Sequence, residues 1–137
     1  MSESPKIAHI AVAVKNLNEA VQAFENVLGL KASEIEEVPS QKVRLRFITL
    51  GGVRFEFLEP TSSDSPISKF LEKRGNGIHH IALEVENIDG RLSALKAKNI
   101  PLINETPVLG AEDCRVAFLH PKALGGILVE LIEEPKS

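Results

Sequence analysis

Tryptophan and tyrosine are absent from the 137 residues, and six phenylalanines are the only other large aromatics. No phenol is therefore available as an acid or a base. The single cysteine, Cys114, excludes an internal disulfide. No apolar run approaches the roughly 18 residues of a membrane span. There is no basic block and the formal net charge is −3, so nucleic acid is not the expected partner. Met1-Ser2-Glu3-Ser4-Pro5 lacks the basic-then-apolar order of a secretion signal. The expected location is the cytoplasm, or an organelle matrix if a targeting segment has been removed. What remains is ordinary. Apolar residues make up 43% and charged residues 26%, enough for one soluble domain over 1–137 with a real core.

The informative feature is a repeat. Ile7-Ala8-His9-Ile10-Ala11-Val12-Ala13-Val14 matches Ile78-His79-His80-Ile81-Ala82-Leu83-Glu84-Val85. Sliding one stretch onto the other puts His9 on His80, Ile10 on Ile81, Ala11 on Ala82 and Val14 on Val85. Both read as strands. In the first, His9, Ala11 and Ala13 share one face and Ile10, Val12 and Val14 the other. A first module, residues 6–60, reads β-α-β-β-β. Asn18 is its expected helix cap, Val21, Phe24, Val27 and Leu28 its apolar helix face, and Gly29 its stop. Lys31 to Ser40 reads as a polar strand and loop. Val43–Leu50 and Val53–Leu58 read as a hairpin about Gly51-Gly52. Residues 61–77 connect, with Ser65-Pro66 opening a short helix.

A second module, 78–135, repeats the plan. Asp89 is its expected cap, followed by short strands at 101–104, 114–119 and 127–131. Glu56 in Phe55-Glu56-Phe57 matches Glu130 in Val129-Glu130-Leu131. The slide that superposes the histidines, however, carries Glu56 only as far as Ile127, three places short of Glu130. Three extra residues therefore lie in the second module, near 108–113 or in the 122–126 turn.

A lone histidine in an apolar strand usually belongs to the core, and a lone strand glutamate usually faces water. Two of each at matched positions of a duplication make a set of two imidazoles and two carboxylates. Such mixed donors suit Co²⁺, Ni²⁺, Mn²⁺, Fe²⁺ or Zn²⁺, and a cation relieves the cost of burying two carboxylates. His79 falls on the face opposite His80 and reads as structural, as does His120.

Several stretches resemble the vicinal oxygen chelate superfamily and, within it, the methylmalonyl-CoA epimerase family. They are the two histidine strands, Glu37-Val38-Pro39-Ser40-Gln41-Lys42-Val43, Ala117-Phe118-Leu119-His120-Pro121-Lys122, and Gly126-Ile127-Leu128-Val129-Glu130-Leu131. The resemblance implies an α+β fold in which paired βαβββ modules form a cupped mixed sheet. It implies His9, Glu56, His80 and Glu130 as metal ligands, cobalt as a common activating metal, an acyl-CoA substrate and a homodimer. It also implies 1,1-proton transfer at the carbon α to a thioester. The twofold relation of the two modules makes Glu56 and Glu130 the expected proton carriers. Among Lys42, Arg44, Arg46, Arg54, Arg115 and Lys122, it favours Lys42 and Lys122 as partners of the CoA phosphates.

Two positions depart from the family pattern. Leu45 stands near the place where some epimerases carry a second glutamate, and Gly110-Ala111-Glu112-Asp113 replaces a glycine-rich loop. Glyoxalase I shares the fold and the ligand set. A metal-free binding module would not need four ligands, and a purely structural dimerisation domain is the third alternative.

Overall fold

The computed structural model describes residues 4–136, so Met1-Ser2-Glu3 of the N-terminal stretch lies outside the described residues. The chain divides into two compact units, one of residues 9–79 and one of residues 4–8 with 80–136.

In the unit of residues 9–79, β1 (Lys6–Ala13) runs parallel to β4 (Val53–Pro60), with Ala11 opposite Glu56. β3 (Val43–Leu50) lies antiparallel on the other side of β4, and β2 (Glu36–Val38) borders β3. Gly51 and Gly52 both have positive φ, 55° and 83°. Two such residues suit the tight turn whose twist matches the flanking strands. The helix α1 (Leu17–Leu28) covers one face of this sheet, where Val12, Val14, Leu17, Val21, Ile48 and Phe57 form the core. Strand alternation then turns His9, Ala11 and Glu56 to the opposite face. The helix α2 (Pro66–Arg74) opens as expected, with the Ser65 side chain accepting from the Ile67 N–H and proline at its start.

The unit of residues 80–136 repeats these relations. β5 (Gly77–Glu84) runs parallel to β8 (Val129–Glu133), with Ala82 opposite Glu130. β7 (Arg115–Leu119) pairs antiparallel with β8, and β6 (Val108–Leu109) with β7. The helix α3 (Ile88–Ala97) covers a core of Val85, Ile88, Leu92, Ala117, Leu119, Val129 and Leu131.

The pairing locates the three extra residues. Phe47 faces Glu56, and Phe118 faces Glu130. The slide that superposes the histidines also carries Phe47 onto Phe118, so the added length falls between Phe118 and Glu130. The turn through Pro121–Leu124 replaces the two-glycine hairpin, and the 108–113 alternative is excluded. The longer turn also delays the last strand to Val129–Glu133 and leaves Ile127 half-exposed. The strand expected at 101–104 is reduced to one bridge, Leu102 with Leu119.

The helices start earlier than Asn18 and Asp89 would set them. Asn16 caps α1 by accepting from the Glu19 N–H at 2.9 Å, and Asn87 caps α3 by accepting from the Gly90 N–H at 3.2 Å. The cause lies on the strands. The Leu17 N–H donates to Glu59 at 2.8 Å and the Ile88 N–H to Glu133 at 3.0 Å, which fixes the first turn at those residues. A carboxylate is favoured there by the partial positive charge of the helix start. Val27 is 83% exposed rather than packed. At 100° per residue it lies about 120° round the helix from buried Val21.

Asn16→Ala is expected to cost about 1 kcal/mol in urea unfolding, and Asn18→Ala less than about 0.5 kcal/mol. A larger loss at Asn18 would contradict the observed helix start.

Candidate functional site

Each histidine strand has a parallel neighbour that sets one carboxylate beside its imidazole. On β4 the rings of Phe55 and Phe57 turn toward α1, where Phe24 meets them at centroid distances of 5.3 and 4.9 Å. Glu56, between them, must take the other face, which it shares with His9. Their closest atoms, His9 Nδ1 and Glu56 Oε2, are 3.5 Å apart. In the other unit His80 Nε2 lies 3.2 Å from Glu130 Oε1. All four side chains are buried, each residue at 8% exposure or less.

Each carboxylate has the same neighbours across the sheet, a phenylalanine on one side and an alanine on the other. Glu56 lies between Phe47 and Ala11, and Glu130 between Phe118 and Ala82. The phenylalanines lower the local polarity. The alanines, both fully buried, leave no bulk beside the carboxylates. The His80 ring stands edge-on to Phe118 at 5.2 Å. This row was readable in the sequence, since Phe47 and Phe118 superpose under the same slide as the histidines.

A carboxylate held this far from water costs several kcal/mol unless positive charge compensates it. Two imidazole nitrogens and two carboxylates are donors that fit a borderline divalent cation. Metal–ligand bonds of roughly 2.0–2.1 Å put neighbouring ligand atoms about 2.9–3.4 Å apart in octahedral or tetrahedral sites. The His80–Glu130 distance of 3.2 Å falls inside that range, and the His9–Glu56 distance of 3.5 Å lies just above it. Each pair therefore offers one imidazole and one carboxylate donor of the kind a divalent metal ion takes.

The other residues singled out in the sequence fall elsewhere. His79 packs edge-on against Phe70 at 5.2 Å, a structural contact. The His120 ring accepts from the Lys122 N–H at 3.0 Å and shapes the longer turn. Leu45 is buried and aliphatic on the Glu56 face of β3, two residues from Phe47, so no carboxylate comes from that position. Glu112 and Asp113, in place of loop glycines, adopt left-handed backbone with φ of 56° and 60°, a conformation glycine takes without strain.

Most of the basic residues have internal partners. Arg44 pairs with Glu59 at 2.9 Å, and Arg115 with Asp89 at 2.7 Å and Glu133 at 3.4 Å. Arg46 donates to the Ser33 carbonyl at 2.9 Å. Lys42 is bound to Asp64 at the surface, and Lys122 is exposed in the turn. Arg54 differs. Its guanidinium lies 3.6 Å over the Phe47 ring, and its Nε is 3.6 Å from the same Glu56 oxygen that faces His9. Sequence reasoning placed no such role on Arg54.

The hydrogen bond from the Lys42 ammonium, with a second from Ser62, holds the Asp64 carboxyl at about 2, below its ordinary 3.8. A lowered carboxyl stabilises the fold above pH ~4, and that contribution is lost as the pH falls through about 2. Lys42→Met should move the Asp64 midpoint, followed by carboxyl NMR, back toward 3.8. An unmoved midpoint would show that Lys42 is not its partner in solution.

A family model described as the glyoxalase/bleomycin resistance protein/dioxygenase superfamily matches residues 8–118. The chain is 42% identical over 127 residues to human mitochondrial methylmalonyl-CoA epimerase, covering 92% of this chain and 72% of that protein. It is 39% identical over 128 residues to the ethylmalonyl-CoA/methylmalonyl-CoA epimerase of Cereibacter sphaeroides, covering 92% and 96%. Among solved structures, a variant of Streptomyces coelicolor methylmalonyl-CoA epimerase in complex with 2-nitronate-propionyl-CoA matches with a TM-score of 0.89. That match has 30% identity and covers 96% of each chain. The α+β fold expected from the sequence is the fold of these proteins.

Proposed function

The chain belongs to the methylmalonyl-CoA epimerase family of the glyoxalase/bleomycin resistance protein/dioxygenase superfamily, and on that premise we propose that it interconverts the (2R) and (2S) epimers of methylmalonyl-CoA by 1,1-proton transfer. The observation that carries this reading is the pair of buried His–Glu contacts at matched positions of the two units.

His9, Glu56, His80 and Glu130 together would hold one divalent metal ion, with cobalt favoured by the resemblance and Zn²⁺, Ni²⁺, Mn²⁺ or Fe²⁺ compatible with the donors. When bound, such an ion supplies a Lewis acid for the negative charge that develops on the thioester oxygen. The protein's own residues move the proton. The α-carbon of the substrate lies between a thioester and a carboxylate, so its hydrogen is acidic enough for a carboxylate to remove. Epimerisation needs a base on one face of that carbon and an acid on the other.

Glu56 turns Oε2 to His9, and Glu130 turns Oε1 to His80. In this scheme the second oxygen of each carries the proton. One carboxylate takes the α-hydrogen as the C–H bond breaks, and the other, protonated, delivers to the opposite face. Leu45 offers no second base and the chain has no tyrosine, so the scheme is built on these two glutamates.

An acyl-CoA substrate fits a cytoplasmic or organelle-matrix location, and none of the described helices is long and apolar enough to cross a membrane. Lys122, in the longer turn, and Lys42, after release from Asp64, are the proposed partners of the CoA phosphates. The exposed Phe24, Val27 and Leu28 on α1 support self-association as a homodimer.

Proton NMR of methylmalonyl-CoA in D₂O tests the reading. Metal-stripped protein should leave the α-proton in place, and added Co²⁺ should remove it while the epimers equilibrate. Glu56→Gln and Glu130→Gln should each slow exchange by about 100-fold or more. Exchange retained in both variants would contradict the two-glutamate scheme, and no exchange with any divalent metal would favour glyoxalase chemistry.

A further inference from the structure

Arg54 breaks the duplication at the point where the chemistry is expected. With Glu56 superposed on Glu130, the residue that falls on Arg54 is Leu128. One carboxylate therefore has a guanidinium beside it, and the other has an aliphatic side chain at the matched position. The Arg54 group is held in place. Its guanidinium carbon lies 3.6 Å over the Phe47 ring, its Nε lies 3.6 Å from Glu56 Oε2, and its side chain is 28% exposed.

We propose that Arg54 is the specificity-determining residue that binds the free carboxylate of the malonyl group. The inference rests on the epimerase reading above. The two groups flanking the reacting carbon differ chiefly in charge, one being a neutral thioester and the other a carboxylate. A duplicated site with equivalent halves would not tell them apart, and a single fixed guanidinium on one half does. Its planar fork matches a carboxylate in two parallel hydrogen bonds, and stacking on Phe47 sets its orientation before substrate arrives. The CoA phosphates are a poor alternative partner. They lie at the far end of the pantetheine arm from the reacting carbon, whereas Arg54 lies beside a proton carrier.

The test is calorimetric binding of two acyl-CoA probes to the cobalt-loaded protein. Malonyl-CoA carries the free carboxylate and propionyl-CoA lacks it. Wild-type protein should bind malonyl-CoA more tightly. Arg54→Met should weaken malonyl-CoA by about 10- to 100-fold, the worth of a charged hydrogen-bond pair. It should leave propionyl-CoA within about three-fold and the cobalt content unchanged. Arg54→Lys should recover only part of the discrimination, because an ammonium cannot reproduce the fork.

Equal weakening of both probes, or loss of cobalt, would overturn the proposal and make Arg54 a prop for Glu56. Failure of the wild-type protein to bind either probe would instead remove the epimerase reading itself, and this inference with it.

Discussion

A carboxylate buried against an imidazole is the interaction to which each unit is fitted. Water would stabilise Glu56 or Glu130 far better than an apolar sheet face does. Yet the alternation of β4 and β8 leaves neither glutamate a choice, because Phe55 and Phe57, or Val129 and Leu131, are drawn to the helix side. The hydrophobic core thus positions the polar site. Any substitution that frees the core face of these strands also frees the carboxylate to leave its histidine.

The same strands are tied to the helices three residues further on. Glu59 and Glu133 face the helix side and accept from the first N–H groups of α1 and α3. Arg44 and Arg115 hold those carboxylates from the neighbouring strand. Helix start, strand and site are therefore one connected device, present twice. The second unit departs from the first in its longer turn after β7, which carries Lys122, and in Leu128 where the first unit has Arg54. Both departures make the two halves of an internally repeated protein unlike.

Much of this was legible in the sequence. The matched histidine strands, the matched glutamate strands and the apolar alternation around them placed His9, Glu56, His80 and Glu130 on strand faces opposite the core. Gly29, Gly51-Gly52 and Ser65-Pro66 marked real boundaries because each answers a local backbone demand. The helix starts were misplaced by two residues because Glu59 and Glu133, on strands far along the chain, set them, and no local pattern reports such a bond. Val27 was misjudged because spacing by three alone drifts around a helix. The contacts of Arg54 were invisible for a similar reason, since a strand arginine usually reads as a solvated charge until the ring beneath it is known.

The proposed function depends on one metal ion that His9, Glu56, His80 and Glu130 would hold. Cobalt titration of the metal-stripped protein, followed by visible absorption and equilibrium dialysis, tests it most directly when repeated on His9→Ala and His80→Ala. The account predicts one Co²⁺ per chain in the wild-type protein and a marked loss of affinity in either variant, because both histidines serve the same ion. Two weak ions per chain, each lost independently with its own histidine, would contradict it, as would no cobalt bound at all.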